Sequence, residues 1–105
     1  PVAVLKLLER AEKYGYEIVS ELAERSGGVL AMGQSTLYPM LYNLEAKGLI
    51  EGQWREADSG RDRKYYKLTR DGRKHLAKGV LQWQALADAM TGLGVIEARL
   101  LGVLS

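Results

Sequence analysis

The most constraining feature of this chain is a change of period at Gly48. Before it, Leu37, Met40, Leu41 and Leu44 recur at i, i+3, i+4 and i+7, the spacing of a helix with one buried stripe. After it, Leu49-Ile50 leads towards Trp54, and Lys64-Tyr65-Tyr66-Lys67-Leu68 alternates between two faces. Between these runs lies Glu56-Ala57-Asp58-Ser59-Gly60, rich in turn formers. A chain that switches from helical to strand period across one glycine is neither a plain helix bundle nor a β-sandwich. It is a mainly α, α+β chain with one hairpin.

The other elements follow from the same reasoning. Residues 2–13 read as a helix that is apolar on most sides through Val2, Val4, Leu5, Leu7, Leu8 and Ala11. Gly15 breaks it, and residues 16–25 read as a second helix with Ile18, Val19, Leu22 and Ala23 on one stripe. Ser26-Gly27-Gly28 stops that helix. A loop over 29–34 follows, with Val29, Leu30 and Met32 expected against the core. The third helix spans 36–47, with Ser35 or Thr36 as N-cap, Pro39 at or near the first turn, and Gly48 as the C′ residue. Strands are expected over 49–55 and 64–68, with Trp54 in the core between hairpin and helices. Thr69 caps a long last helix, favoured by Asp71 in its first turn. Gly92 and Gly94 weaken that helix, and seven of the eleven residues from Val95 to Ser105 are apolar.

Size and composition remove whole classes of function. At 105 residues the chain cannot hold a TIM barrel. It buries only about two thirds of its unfolded surface, so it leans towards association with a partner. It has no Cys, which excludes thiol catalysis and Cys-based metal sites. A single His, His75, leaves no His cluster for a metal and little for acid–base work. Glu9, Glu12, Glu17, Glu21 and Glu24 read as solvated faces, so an enzyme is not expected, and neither is a cofactor or a metal. Residues 26–44 carry no charge, but Gln34, Ser35, Thr36, Pro39 and Asn43 break any apolar run long enough to span a membrane. No signal segment is evident, and a cytoplasmic location is expected.

The small net charge of +2 hides a strong asymmetry. Residues 61–78 hold Arg61, Arg63, Lys64, Lys67, Arg70, Arg73, Lys74 and Lys78 against Asp62 and Asp71, a local net of +6. Clustering of this kind points to a polyanion or to a solvated helix face with a charged turn.

Three helices, a hairpin and a long helix are the parts of a winged helix-turn-helix domain, in which the third helix enters the DNA major groove. The residues also carry a family resemblance. Gly15-Tyr16-Glu17-Ile18 resembles the junction of the first two helices in PadR-type transcriptional regulators. Ser35-Thr36-Leu37-Tyr38-Pro39-Met40-Leu41, with Leu44-Glu45-Ala46-Lys47-Gly48-Leu49-Ile50, resembles their recognition helix and the strand after it. Gly60-Arg61-Asp62-Arg63-Lys64-Tyr65-Tyr66-Lys67-Leu68-Thr69 with Gly72 resembles their wing. Together these cover about residues 15–72. The single C-terminal helix is similar to that of the short PadR subtype. The resemblance implies a homodimeric bacterial repressor-type regulator, often released from DNA by a small effector.

The expected organisation is a winged helix-turn-helix DNA-binding domain over 1–69 and a dimerisation helix over 70–105. Ser35, Thr36, Tyr38, Pro39, Tyr42 and Asn43 lie opposite the Leu stripe and are expected to face double-stranded DNA through hydroxyl, amide and ring contacts. Tyr38 and Tyr42 have packing inside the domain as their alternative. Arg61, Arg63 and Lys64 are expected at the wing tip, within reach of phosphates. Leu76, Val80, Trp83, Ala87 and Met90 alternate steps of four and three, a heptad-like seam for a homodimer interface. Trp83 and Ala87 are candidates for a small planar hydrophobic effector, because two indoles across a dimer axis could form a slot. Multidrug-sensing PadR regulators, which the chain resembles, place a Trp in a similar helix. A plain core or dimer-interface Trp is the alternative. The rival reading of the whole chain is a winged-helix protein–protein module without DNA binding.

Overall fold

The computed structural model describes residues 2–56, 58 and 60–97. In chain order it contains α1 (Val2–Leu7), β1 (Lys13–Tyr14), α2 (Gly15–Arg25), α3 (Gln34–Ala46), β2 (Ile50–Glu56), β3 (Asp62–Leu68) and α4 (Arg70–Gly92). This is the winged-helix order, with one addition. The sheet runs β1-β3-β2, with both pairings antiparallel. β1 pairs Lys13 with Tyr66 and Tyr14 with Tyr65.

Several expectations are corrected here. The first helix ends at Leu7 instead of residue 13, because the chain must turn over 8–12 to deliver β1 to the edge of β3. α3 starts at Gln34 with Gly33 as its N-cap and no side-chain cap, so Ser35 and Thr36 lie inside the helix. Pro39 is therefore past the first turn, where its missing N–H leaves the Ser35 carbonyl without its i+4 donor. In the loop after α2, Met32 packs on the core, but Val29 and Leu30 are exposed. Most of the apolar tail falls outside the described residues.

The core draws on every helix and on the base of the sheet. Leu5, Ile18, Leu37, Leu41, Ile50 and Tyr66 are almost fully buried, and Leu76 brings α4 into the same cluster. As expected, Gly48 takes φ +74 just beyond α3, and Thr69 accepts from the Gly72 N–H at 3.0 Å. The Thr69 hydroxyl also donates to the Gly48 carbonyl at 2.6 Å. A Cβ on Gly72 would stand 1.9 Å from the Leu49 carbonyl oxygen. The base of α4 is thus pressed onto the exit of α3, which fixes the third helix against the rest of the domain.

Candidate nucleic-acid interface

α3 presents two chemically distinct faces. Leu37, Leu41 and Leu44 are buried. Ser35, Thr36, Pro39, Tyr42 and Asn43 are exposed together on the other side. Tyr38 is intermediate: its ring packs on the core, and a Cβ on Gly15 would meet its hydroxyl at 2.6 Å. It stacks on Tyr42, with centroids 6.3 Å apart and planes at 28°. The outward aromatic of the pair is therefore Tyr42. Its surface is free for hydrogen bonds and apolar contacts to a ligand.

The hairpin stands beside this face. Cross-strand register places Trp54 opposite Lys64, Arg55 opposite Arg63 and Glu56 opposite Asp62. Trp54 is 66% exposed, not in the core. Ile50, Tyr66 and Leu68 use up the part of the sheet that the helices cover, and by Trp54 the hairpin has run past them. Arg63 lies 4.5 Å over the Tyr14 ring. Arg55 pairs with Glu12 and lies 5.0 Å over the Tyr65 ring. Lys64 does not sit at the tip; it turns back to Glu45 on α3, Nζ to Oε1 2.9 Å. Arg61 is exposed at the turn. Glu56, Asp58 and Asp62 flank it in sequence, so the tip itself carries more acid than base, and much of the local +6 lies on α4 at Arg70, Arg73, Lys74 and Lys78.

Between hairpin and α3 runs a cleft of about 330 Å³, lined by Tyr14, Gly15, Tyr38, Tyr42, Trp54, Asp62, Arg63, Lys64 and Tyr66. Burial, with the Glu45 carboxylate nearby, pushes the Tyr66 phenol up to about 12, so its hydroxyl stays protonated.

α4 divides into a seated half and an exposed half. Leu76 and Gly79 are buried and Val80 packs on the core, so Leu76 is spent inside its own domain rather than offered to a partner. Residues 81–89 are all exposed, including Trp83, Leu86 and Ala87. Trp83 borders an open apolar groove of about 500 Å³, whose other walls include Val2, Ala3, Leu22, Leu30, Met32 and Met40. Its walls come from α1, α2, α3 and the loop before α3 together with Trp83, and Ala87 is not among them. Among the described residues no group of His, Cys, Asp and Glu could hold a metal ion, and no helix is long and apolar enough to cross a membrane.

A family model described as the transcriptional regulator PadR-like family matches residues 4–78. The chain belongs to the PadR-like family. A PadR family transcription regulator of Clostridium difficile superposes with a TM-score of 0.78 at 31% identity, over 88% of this chain and 94% of that one. An uncharacterized protein of Lysinibacillus sphaericus is 34% identical over 81% of this chain and 78% of its own length. The negative transcriptional regulator PadR of Bacillus subtilis is 27% identical over 98% of this chain, but the match spans only 57% of that protein. A crystal structure of that PadR in complex with operator DNA superposes with a TM-score of 0.70 at 30% identity, over 75% of this chain and 45% of that one.

Within this PadR-like frame the sequence missed three features. Glu12 and Tyr14 anchor the hairpin arginines, but nothing local marks them, because β1 exists only through its pairing with β3. Leu30 and Met32 line the groove at Trp83 from a loop with no periodicity. Glu45 carries no local mark of its role, because its partner Lys64 is 19 residues away. The one available signal was Gly52, a glycine inside a strand.

Proposed function

We propose that this PadR-like chain is a transcriptional regulator of the bacterial cytoplasm that reads duplex DNA as a homodimer and acts as a repressor. The observation that carries the reading is the exposed face of α3. There Ser35, Thr36, Tyr42 and Asn43 stand together, braced from behind by Leu37, Leu41 and Leu44. A polar face on a rigid helix, with no Arg or Lys between Gln34 and Ala46, suits hydroxyl and amide contacts and DNA-shape recognition more than bidentate guanine reading. The hairpin would lie along the adjacent backbone, with Arg61, which has no ion pair among the described residues, and Arg63 within reach. That the related B. subtilis PadR was crystallised with operator DNA supports this reading.

Residues 1–69 would then form the reading unit and α4 the assembly element. Its exposed Trp83, Leu86 and Ala87, with Met90, form an apolar face suited to the same face of a second copy. A small, planar, hydrophobic effector would enter the groove beside Trp83 and change the spacing of the two α3 helices, which lowers operator affinity. The test is selection from a random duplex pool at two salt concentrations. The expected result is a palindromic consensus, with half-sites one or two helical turns apart and affinity that falls steeply with salt. Absence of any enriched sequence would move the chain to the protein–protein reading.

A further inference from the structure

Lys64 is the cation that departs most from its expected place. Its Nζ donates to Glu45 in the last turn of α3 at 2.9 Å, and the two side chains are only 21% and 32% exposed. The same ammonium lies 5.4 Å from the Tyr66 ring centre and 5.9 Å from that of Tyr42. It therefore has an anion and two aromatic rings as partners within its own chain. A phosphate would have to displace a partly buried ion pair to reach it.

The strand beneath has made room for this arrangement. Lys64 stands opposite Trp54 in the register, and its arm runs across β2 at Gly52. A Cβ on Gly52 would stand 2.2 Å from Lys64 Cε, 3.2 Å from Lys64 Cδ and 3.2 Å from Glu45 Oε2. Gly52 does not have positive φ, so the backbone does not require a glycine there. A glycine in a strand interior forfeits packing and chain entropy. The gap it leaves is filled by the lysine arm.

We propose that Gly52, Lys64 and Glu45 form a strut that sets the distance between the hairpin and α3, and that Lys64 is a positioning residue rather than a phosphate ligand. The inference rests on the DNA-reading function proposed for α3. The strut acts on DNA through Tyr42, whose ring it holds from beneath, and through the hairpin, whose spacing from α3 it fixes. Its two ends belong to the two elements that would enter neighbouring parts of a duplex.

The experiment compares Glu45→Gln, Lys64→Gln, their double variant and Gly52→Ala. Affinity for the selected operator is measured across a salt series, and melting is measured without DNA. The strut predicts that each single change weakens binding by about tenfold, and that the double variant is no weaker than either single, as for groups acting as a unit. Gly52→Ala, which keeps every charge, should weaken binding to the same degree. The dependence of log affinity on log salt should stay parallel to that of the parent. A phosphate-binding Lys64 gives the opposite pattern. Glu45→Gln would then tighten binding, Gly52→Ala would leave it unchanged, and Lys64→Gln would reduce the salt slope by about 0.9. Either of the first two results overturns the proposal. A parent protein that selects no duplex overturns the DNA reading and the positioning role together. The melting cycle needs no DNA, and additive melting shifts in it would overturn the strut on its own.

Discussion

Two aromatic surfaces of this molecule are built in opposite ways. The surface formed by α3 and the hairpin is tied down: Lys64 to Glu45, Arg55 to Glu12 and Tyr65, Arg63 to Tyr14. The surface along the outer half of α4 has no such ties among the described contacts of Leu81, Trp83 and Leu86, which are largely exposed. The first is finished within one chain, with donors and acceptors already aimed. The second is apolar and unfinished, as a surface is when its complement lies elsewhere. Pre-organisation suits recognition of a stiff polar ligand, because little ordering remains to be done on binding. An unfinished apolar face suits assembly.

The largest effect should come where both surfaces share a foundation. Gly72→Ala drives a Cβ into the Leu49 carbonyl, a backbone atom that cannot rotate away. A loss of about 3 kcal/mol is expected, which lowers the melting temperature by more than 10 °C on circular dichroism. A variant that melts like the parent would show that the two surfaces do not depend on this seat.

The contrast then sharpens on the unfinished side. Trp83→Ala should weaken self-association by about 2 kcal/mol, roughly 30-fold, while the far-ultraviolet spectrum of the domain is kept. Sedimentation equilibrium reads the shift, and an unchanged association constant would remove Trp83 from the interface.

On the tied side, Tyr66 provides a pH signature. Its phenol is raised from the ordinary 10 to about 12 by burial, then by Glu45. Between those values the folded chain keeps a proton that the unfolded chain loses, so stability must fall as pH rises from 10 to 12. Two pKa units correspond to about 2–3 kcal/mol once pH exceeds 12. Denaturant titrations at pH 9 and 11.5 should show this loss, and Tyr66→Phe should reduce it. Equal pH slopes in parent and variant would place the alkaline sensitivity elsewhere.

The smallest effect is expected at the hairpin tip. Arg61→Gln should lower the salt slope of operator binding by about 0.9, the value of a single phosphate contact. An unchanged slope would mean that the acids Glu56, Asp58 and Asp62 already cancel the contact.

The sequence made the periodic parts of this fold legible and left the long-range ones obscure. The α3 stripe, the Gly48 exit and the Thr69 cap are local: each is written in spacings of a few residues, and each stands in the structure. The end of α1 was not legible, because Leu8 continues the apolar pattern while β3 claims Lys13 and Tyr14 from a distance. Trp54 was misplaced because alternation tells which face a residue takes but not how far the hairpin outruns its helices. The outward positions of α3 were readable as a face, and Tyr42 and Asn43 keep it. Lys64 was readable only as a cation; its acid lies on another element, and charge counting does not see pairing.

The two-residue strand β1 carries a kinetic consequence. β2 and β3 are neighbours in sequence and can zip as soon as both exist, within microseconds for an ordinary hairpin. β1 pairs across a far longer separation, Lys13 with Tyr66 and Tyr14 with Tyr65, so its closure is expected to be the slower step. Its closure pays the entropy of a long loop for very few backbone bonds. The contacts of Arg55 with Glu12 and Arg63 with Tyr14 span the same loop, so they mature with it. The hairpin is thus expected to form before it is anchored. A nascent chain arrested before Leu68 would hold α1, α2 and α3 but lack the complete β3 strand on which β1 docks.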